Sequence, residues 1–205
     1  MKCRALAVAL VALIASGCAT IPSHTPQSLD WQQREAQLQQ LTEWQLEGRF
    51  AIRTVDDSWS GSLHWQQRDN AYDINFSGPF GQGATRLTGD SYHVVLSTSE
   101  GEIIGYQGPE QLMYETLGWR MPIASLQYWA VGYPDPAKAP PLVTLDEFDR
   151  IATLQQGEWH VSYPRYRLFQ QTEVPGKIVI KNHQLSVKLV IDHWQQPEKQ
   201  IKTNE

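Results

Sequence analysis

YDINFSGPFGQGATRL, residues 72–87, consists of two strand-like runs joined by a glycine-rich tip, and it decides how the whole chain is read. Tyr72, Ile74 and Phe76 alternate with Asp73 and Asn75, the period of a half-buried strand. Gly78, Pro79, Gly81 and Gly83 then break the run, because glycine supplies positive φ and proline presets φ near −65°. Phe80 stands among them. A hairpin tip offers few neighbours to a phenyl ring, and about 2 kcal/mol of apolar transfer energy goes uncollected if nothing receives it. Two readings stand: Phe80 folds back under its own loop as a satellite of the core, or it is a wedge for a membrane or a partner.

The same period of two recurs on both sides. Trp44, Leu46, Gly48, Phe50 and Ile52 form one apolar phase, and Trp59, Gly61, Leu63 and Trp65 form the next, with Asp56-Asp57-Ser58 turning the chain between them. Tyr92, Val94 and Leu96 follow the hairpin, and Glu100-Gly101 turns into Glu102 to Tyr106. Short turns between successive strands give an antiparallel meander. The middle reads as helical: Pro109 opens a stripe with Leu112, Met113 and Leu117 that ends at Gly118, and Pro122 opens another with Ile123, Leu126 and Trp129 that ends at Gly132. Leu142 to Leu154 reads two ways, with helical spacing at Leu145, Phe148 and Ile151 but a hairpin-like Gln156-Gly157 after it. Strand periodicity returns in Trp159, Val161 and Tyr163, in Ile178 and Ile180, and in Leu185, Val187, Leu189 and Ile191. Gln195 to Glu205 is a charged tail, read as a short strand extension or as unstructured chain. A sheet with one apolar face needs a cover, and inserted helices that cover it incompletely leave a greasy cavity.

The N-terminus is a targeting segment. Lys2 and Arg4 precede an apolar run, Ala5 to Ala15, too short to span a bilayer. Ile14-Ala15-Ser16-Gly17-Cys18 resembles a lipobox, in which the cysteine is acylated and becomes the mature N-terminus. Ala15 stands where that motif usually has leucine, and the alternative is an ordinary signal peptide with an incidental cysteine. The expected organisation is a signal peptide over 1–17, a lipidated and proline-stiffened tether over 18–29, and one domain over 30–205, with Asp30 capping a helix that starts at Trp31. With Cys3 removed and Cys18 lipidated, no disulfide is available. Ala19, rather than Asp, after the cysteine implies sorting away from the inner membrane in lipoproteins of this type.

A net charge of −5 argues against a nucleic-acid surface, and eight Trp, eight Tyr and five Phe are a heavy aromatic load for 205 residues. The sequence contains no nucleophile elbow, phosphate-binding loop or H-E-x-x-H motif, so no catalytic residue, cofactor or metal is expected. His24, His64, His93, His160, His183 and His193 fall mostly on polar phases or in turns and read as solvated. Asp146, Glu147 and Asp149 read as an exposed acidic face more readily than as paired carboxylates.

Leu46-Glu47-Gly48-Arg49-Phe50-Ala51, Leu63-His64-Trp65, Phe76-Ser77-Gly78-Pro79-Phe80-Gly81, Met121-Pro122-Ile123, Leu126-Gln127-Tyr128-Trp129, Gly132, Trp159-His160-Val161-Ser162-Tyr163 and Val187 to Trp194 together resemble the LolB family of outer-membrane lipoprotein receptors. The resemblance implies a mainly β fold with α segments: an unclosed antiparallel β-barrel, or half-barrel, covered by a helical lid around a hydrophobic cavity. It implies a lipid-anchored outer-membrane protein facing the periplasm. Such a protein takes acylated lipoprotein cargo from a LolA-type carrier and places it in outer-membrane phospholipid, as a monomer and without nucleotide hydrolysis. In that family an exposed apolar residue, typically leucine, follows the hairpin proline, and Phe80 holds that place here, so Gly78, Pro79, Phe80 and Gly81 are the expected membrane-insertion loop. The acyl-chain cavity is expected along the inward phase, at Phe50, Ile52, Leu63, Trp65, Ile74, Phe76, Val94 and Leu96, with Leu117, Met121, Leu126 and Trp129 from the lid. The alternatives are a carrier or lipid-sensing half-barrel without the anchor, or an envelope lipid or glycan hydrolase needing a buried nucleophile or carboxylate pair.

Overall fold

The computed structural model describes residues 30–78, 83–90, 92–98, 101–105, 108–118 and 120–197, with backbone alone for 102–105, 116 and 117. The expected signal peptide, Cys18, the tether and Pro79, Phe80 and Gly81 lie outside the described residues, as do the end of the tail and the Leu117 side chain.

Eleven antiparallel strands and three helices are present among the described residues. The first helix, α1 (Trp31–Gln39), is capped by Asp30, whose Oδ1 accepts from Gln33 N at 2.9 Å. Six strands follow as a meander: β1 (Glu43–Arg53), β2 (Ser58–Arg68), β3 (Ala71–Ser77), β4 (Thr85–Gly89), β5 (Val94–Thr98) and β6 (Gly101–Gly105). Two helices interrupt the sheet, α2 (Pro109–Leu117) and α3 (Ile123–Ala130). Both stop where the sequence places glycine, with Gly118 at φ 78° and Gly132 at φ 82°. The chain returns through β7 (Leu142–Leu145), β8 (Ile151–Gln156), β9 (Trp159–Phe169), β10 (Thr172–Lys181) and β11 (Ser186–Gln195). The order across the sheet is β6-β5-β4-β3-β2-β1-β11-β10-β9-β8-β7, so the first and last long strands pair at its centre. Among the described residues β6 and β7 share no ladder, and the barrel stays open between them.

The inward phase is continuous from strand to strand. Trp44, Leu46, Leu63, Trp65, Ile74, Leu87, Val94, Leu96, Leu154, Val161, Ile178, Ile180, Leu189 and Ile191 are all buried. Trp44 lies edge-on to Trp65 and Trp194, at 4.9 and 5.3 Å between ring centroids, the favoured geometry for aromatic pairs. The β1–β11 ladder shifts register between Glu47 and Gly48, leaving Asp192 of β11 as the extra residue of a bulge, and Gly48 is required beside it because a Cβ would stand 2.2 Å from Val190 O.

Three local readings change. Leu142 to Leu154 is a hairpin: β7 and β8 pair around a turn in which Asp146 Oδ1 accepts from Phe148 N and Arg150 N. The helical spacing of Leu145 and Phe148 is accidental, since both side chains are exposed while Ile151 is buried. Asp146 is not a free surface carboxylate. Although partial burial raises its pKa, hydrogen bonds from Arg150 more than offset this and hold it below the usual carboxylate range. Tyr92 precedes β5 and is exposed rather than part of the inward phase.

The amphipathic stripe of α1 carries a residue that periodicity does not single out. Arg34 is buried, with Nη2 3.1 Å from Glu173 Oε2, and Arg150 Nη1 lies 2.8 Å from the other oxygen of the same carboxylate. α1 is thereby fastened to β10 and to the β7–β8 turn. On the opposite side Gln156, also buried, makes four hydrogen bonds. Its Oε1 accepts from Trp129 Nε1 and Asp135 N, and its Nε2 donates to the carbonyls of Asp135 and Ala139. These bonds hold the end of α3 against β8.

Candidate functional site

The concave side of the sheet contains two apolar spaces that share a wall. Phe50, Ile52, Phe76 and Met113 border both, and the rings of Phe50 and Phe76 meet edge-on at 5.2 Å. The inner space, of about 30 Å³, is the smaller and less open of the two. It is enclosed by Leu63, Trp65 and Ile74 from the meander, Ile180, Val187 and Leu189 from the returning strands, and Met121, Ile123 and Leu126 at the start of α3. The outer space, of about 530 Å³, opens to solvent and adds Trp59, Leu87 and Leu96 to the shared wall.

The position of that opening follows from the small residues around it. Gly61 interrupts the inward phase of β2 between Trp59 and Leu63, and a Cβ there would stand 2.0 Å from Ser77 O. The β2–β3 ladder ends at Ser62 and Ser77, and Ser58, Ser60, Ser77 and Thr85 line the outer space at this end. Gly78 and Gly83, the described residues that flank the loop carrying Phe80, belong to the same rim. The hairpin is held from outside by Arg86, whose Nε and Nη2 donate to the two carboxylate oxygens of Asp73 at 3.0 and 2.6 Å. That guanidinium keeps the Asp73 carboxyl below the usual range.

Of the residues predicted to line the cavity, Phe50, Ile52 and Phe76 border both spaces, Leu96 borders the outer one, and Leu63, Trp65, Ile74, Met121 and Leu126 border the inner one. Val94 and Trp129 are buried but line neither; Trp129 is turned toward Gln156 and Trp159. The predicted lining left out Met113, Trp59 and Leu87 of the outer space and Ile123, Ile180, Val187 and Leu189 of the inner one, although all but Leu87 lie on apolar phases legible in the sequence. Leu87 was within reach of a register argument, since it pairs with Ile74 across the hairpin. No carboxylate, imidazole, amine or thiol is among the described residues lining either space. Deeper in the fold, burial pushes the Tyr163 hydroxyl well above the usual phenol range, so it stays neutral at physiological pH.

Residues 42–194 match the family described as "Outer membrane lipoprotein LolB". Two curated proteins named "Outer-membrane lipoprotein LolB" align along nearly their full length. The one from Nitrosococcus oceani is 35% identical over 197 residues, covering 94% of this chain and 98% of that protein. The one from Pseudomonas aeruginosa is 38% identical over 200 residues, covering 95% and 97%. This chain belongs to the LolB family. Among solved structures, a LolA superfamily protein from Nitrosomonas europaea superposes with a TM-score of 0.53 at 6% identity, covering 83% of this chain and 94% of that one. At that identity the likeness is one of fold, and it matches the open antiparallel sheet found here. In this LolB-family chain the larger of the two apolar spaces opens beside the hairpin whose sequence the family resemblance marks as the insertion loop.

Proposed function

We propose that this chain accepts acylated lipoproteins from a LolA-type carrier at the mouth between β2 and β3, and incorporates them into the outer membrane. Cys18 is the anchor, and Gly78, Pro79, Phe80 and Gly81 form the loop that meets the bilayer. The observation that carries this reading is the apolar outer cavity of about 530 Å³, which opens at the rim formed by Gly78 and Gly83. A volume in the ~300–1,000 Å³ range suits a bound molecule rather than a packing defect. Acyl chains need such shelter, because each CH₂ left in water costs about 0.8 kcal/mol.

The shared wall points to how more chain is admitted. Met113 closes the passage from the outer to the inner space, and methionine is unbranched and repacks readily. Withdrawal of Met113, with Met121, Ile123 and Leu126 of the lid, joins the two spaces under α3. With no nucleotide-binding motif in the sequence, cargo moves down a gradient of affinity, from carrier to cavity to lipid.

The test mixes the purified chain with a carrier loaded with labelled lipoprotein, in the absence of ATP. Label is expected to move to this chain and then to liposomes. Met113→Glu should lower acceptance by about tenfold or more, because it places an unpaired carboxylate in an apolar passage. Circular dichroism checks that the variant is folded. Label that stays on the carrier with the unmodified chain removes the proposal.

A further inference from the structure

One patch of the sheet's convex face, on β9, β10, β11 and β1, is basic, on a chain whose net charge is −5; the acidic Glu47 and Asp73 share the outward phase but lie outside the patch. The strand registers align three rungs. In the first, Arg165 of β9 lies beside Lys177 of β10, then Val190 of β11 and Arg49 of β1. In the second, Ser162, Val179, Lys188 and Ala51 are neighbours, and in the third His160, Lys181, Ser186 and Arg53. All point outward, because the residues between them on β10, β11 and β1 (Ile178, Ile180, Val187, Leu189, Phe50 and Ile52) are buried. Extended to Thr153 and Gln155 of β8 and to Ser58, Ser60 and Ser62 of β2, the three rungs contain no acidic residue. Asp192, beyond the first rung, bonds Arg49.

We propose that this face is a docking surface for the phosphate headgroups of an anionic membrane, holding the anchored chain on its side against the bilayer. The proposal rests on the reading of the chain as membrane-anchored and goes beyond it by naming the surface that lies down. Three rungs by four strands span about 14 Å in each direction, from ~3.4 Å per residue and ~4.8 Å between strands. That exceeds the Debye length of about 8 Å at physiological salt, so the lipid responds to the local basic field and not to the negative net charge.

The composition favours lipid over a protein partner. Lys177, Lys181 and Lys188 contribute half of the six cations, and the residues between the cations are Ser, Ala and Val. Protein interfaces are instead depleted in lysine and centred on aromatic anchors, none of which occurs in these rungs. A tether of residues 18–29 reaches at most about 40 Å, at ~3.3 Å per residue, which keeps the face within range of the bilayer. In this posture the mouth end stays near the membrane, since Arg53 of the third rung pairs with Ser58, which lines the outer space.

The test uses the full acylated chain anchored in vesicles, of phosphatidylcholine alone or with phosphatidylglycerol added, and labels amines with a reagent read by mass spectrometry. In the anionic vesicles at low salt, labelling of Lys177, Lys181 and Lys188 is expected to fall about threefold or more and to recover at high salt. Lys138, in the segment between α3 and β7, should label alike in both. Equal labelling of the three lysines in both vesicles overturns the proposal, and so does protection that develops only when the carrier protein is added. Cargo transfer on the same samples separates the two readings. Transfer with unprotected lysines removes only the docking face, whereas protected lysines without transfer remove the proposed function and leave the face standing.

Discussion

Phe80→Glu is expected to leave acceptance of cargo from the carrier intact while stalling its passage into membranes. Phe80 belongs to the loop bounded by Gly78 and Gly83, which edge the outer cavity, whereas under the proposed function acceptance depends on the lining behind that rim. Placing a phenyl ring in lipid yields about 2 kcal/mol, and a carboxylate in its place also resists desolvation. At 1.4 kcal/mol per factor of ten, loss of the ring alone slows the membrane step by about thirtyfold. Phe80→Leu, which restores the residue typical of the family, should retain most of the rate. The measurement counts label held on the chain separately from label that sediments with liposomes. Normal incorporation by Phe80→Glu removes the wedge, and failure to take label from the carrier places Phe80 in acceptance instead.

Glu173→Ala is expected to be the most damaging single change to stability outside the aromatic core. Glu173 neutralises two cations at once, the buried Arg34 of α1 and the largely buried Arg150 of the β7–β8 turn. Removing one member of a buried pair leaves an uncompensated charge and costs about 3–5 kcal/mol. Arg150 keeps Asp146 as a partner at 2.8 Å, but Arg34 has no second carboxylate within salt-bridge distance among the described residues. The double variant Arg34→Met with Glu173→Leu removes the charge along with its partner, and should recover much of the loss. Thermal unfolding of the three proteins checks this. A Glu173→Ala chain within about 1 kcal/mol of the parent would mean that Arg34 reaches solvent through local opening of α1.

Several elements were legible before any coordinates. Alternation from Trp44 to Leu96 and from Trp159 to Ile191 places nearly every inward residue correctly, because a strand that buries one face must alternate. Proline and glycine bracket α2 to the residue and α3 to within two, since proline is tolerated at a helix start and glycine takes positive φ at its end. The β7–β8 hairpin was obscured because its strands are short and Leu142, Val143 and Leu145 remain exposed at a sheet edge. The usual link between apolar spacing and burial fails there.

The amino-acid order by itself determined most of the strands, the open sheet through its family resemblance, the glycine-rich hairpin and the list of apolar candidates for a cavity. It did so because local periodicity and turn chemistry are short-range. Which candidates enclose space and which merely pack was decided only in three dimensions. Trp129 is drawn away from the lumen by Gln156, 27 residues along the chain, while Met113 is brought beside Phe50 and Phe76 to divide one space from the other. The pairing of Arg34 with Glu173, 139 residues apart, and the basic rungs assembled from β9, β10, β11 and β1 are of the same kind. Contacts between distant segments depend on register and on how the sheet closes around its helices, and no window of sequence contains that information.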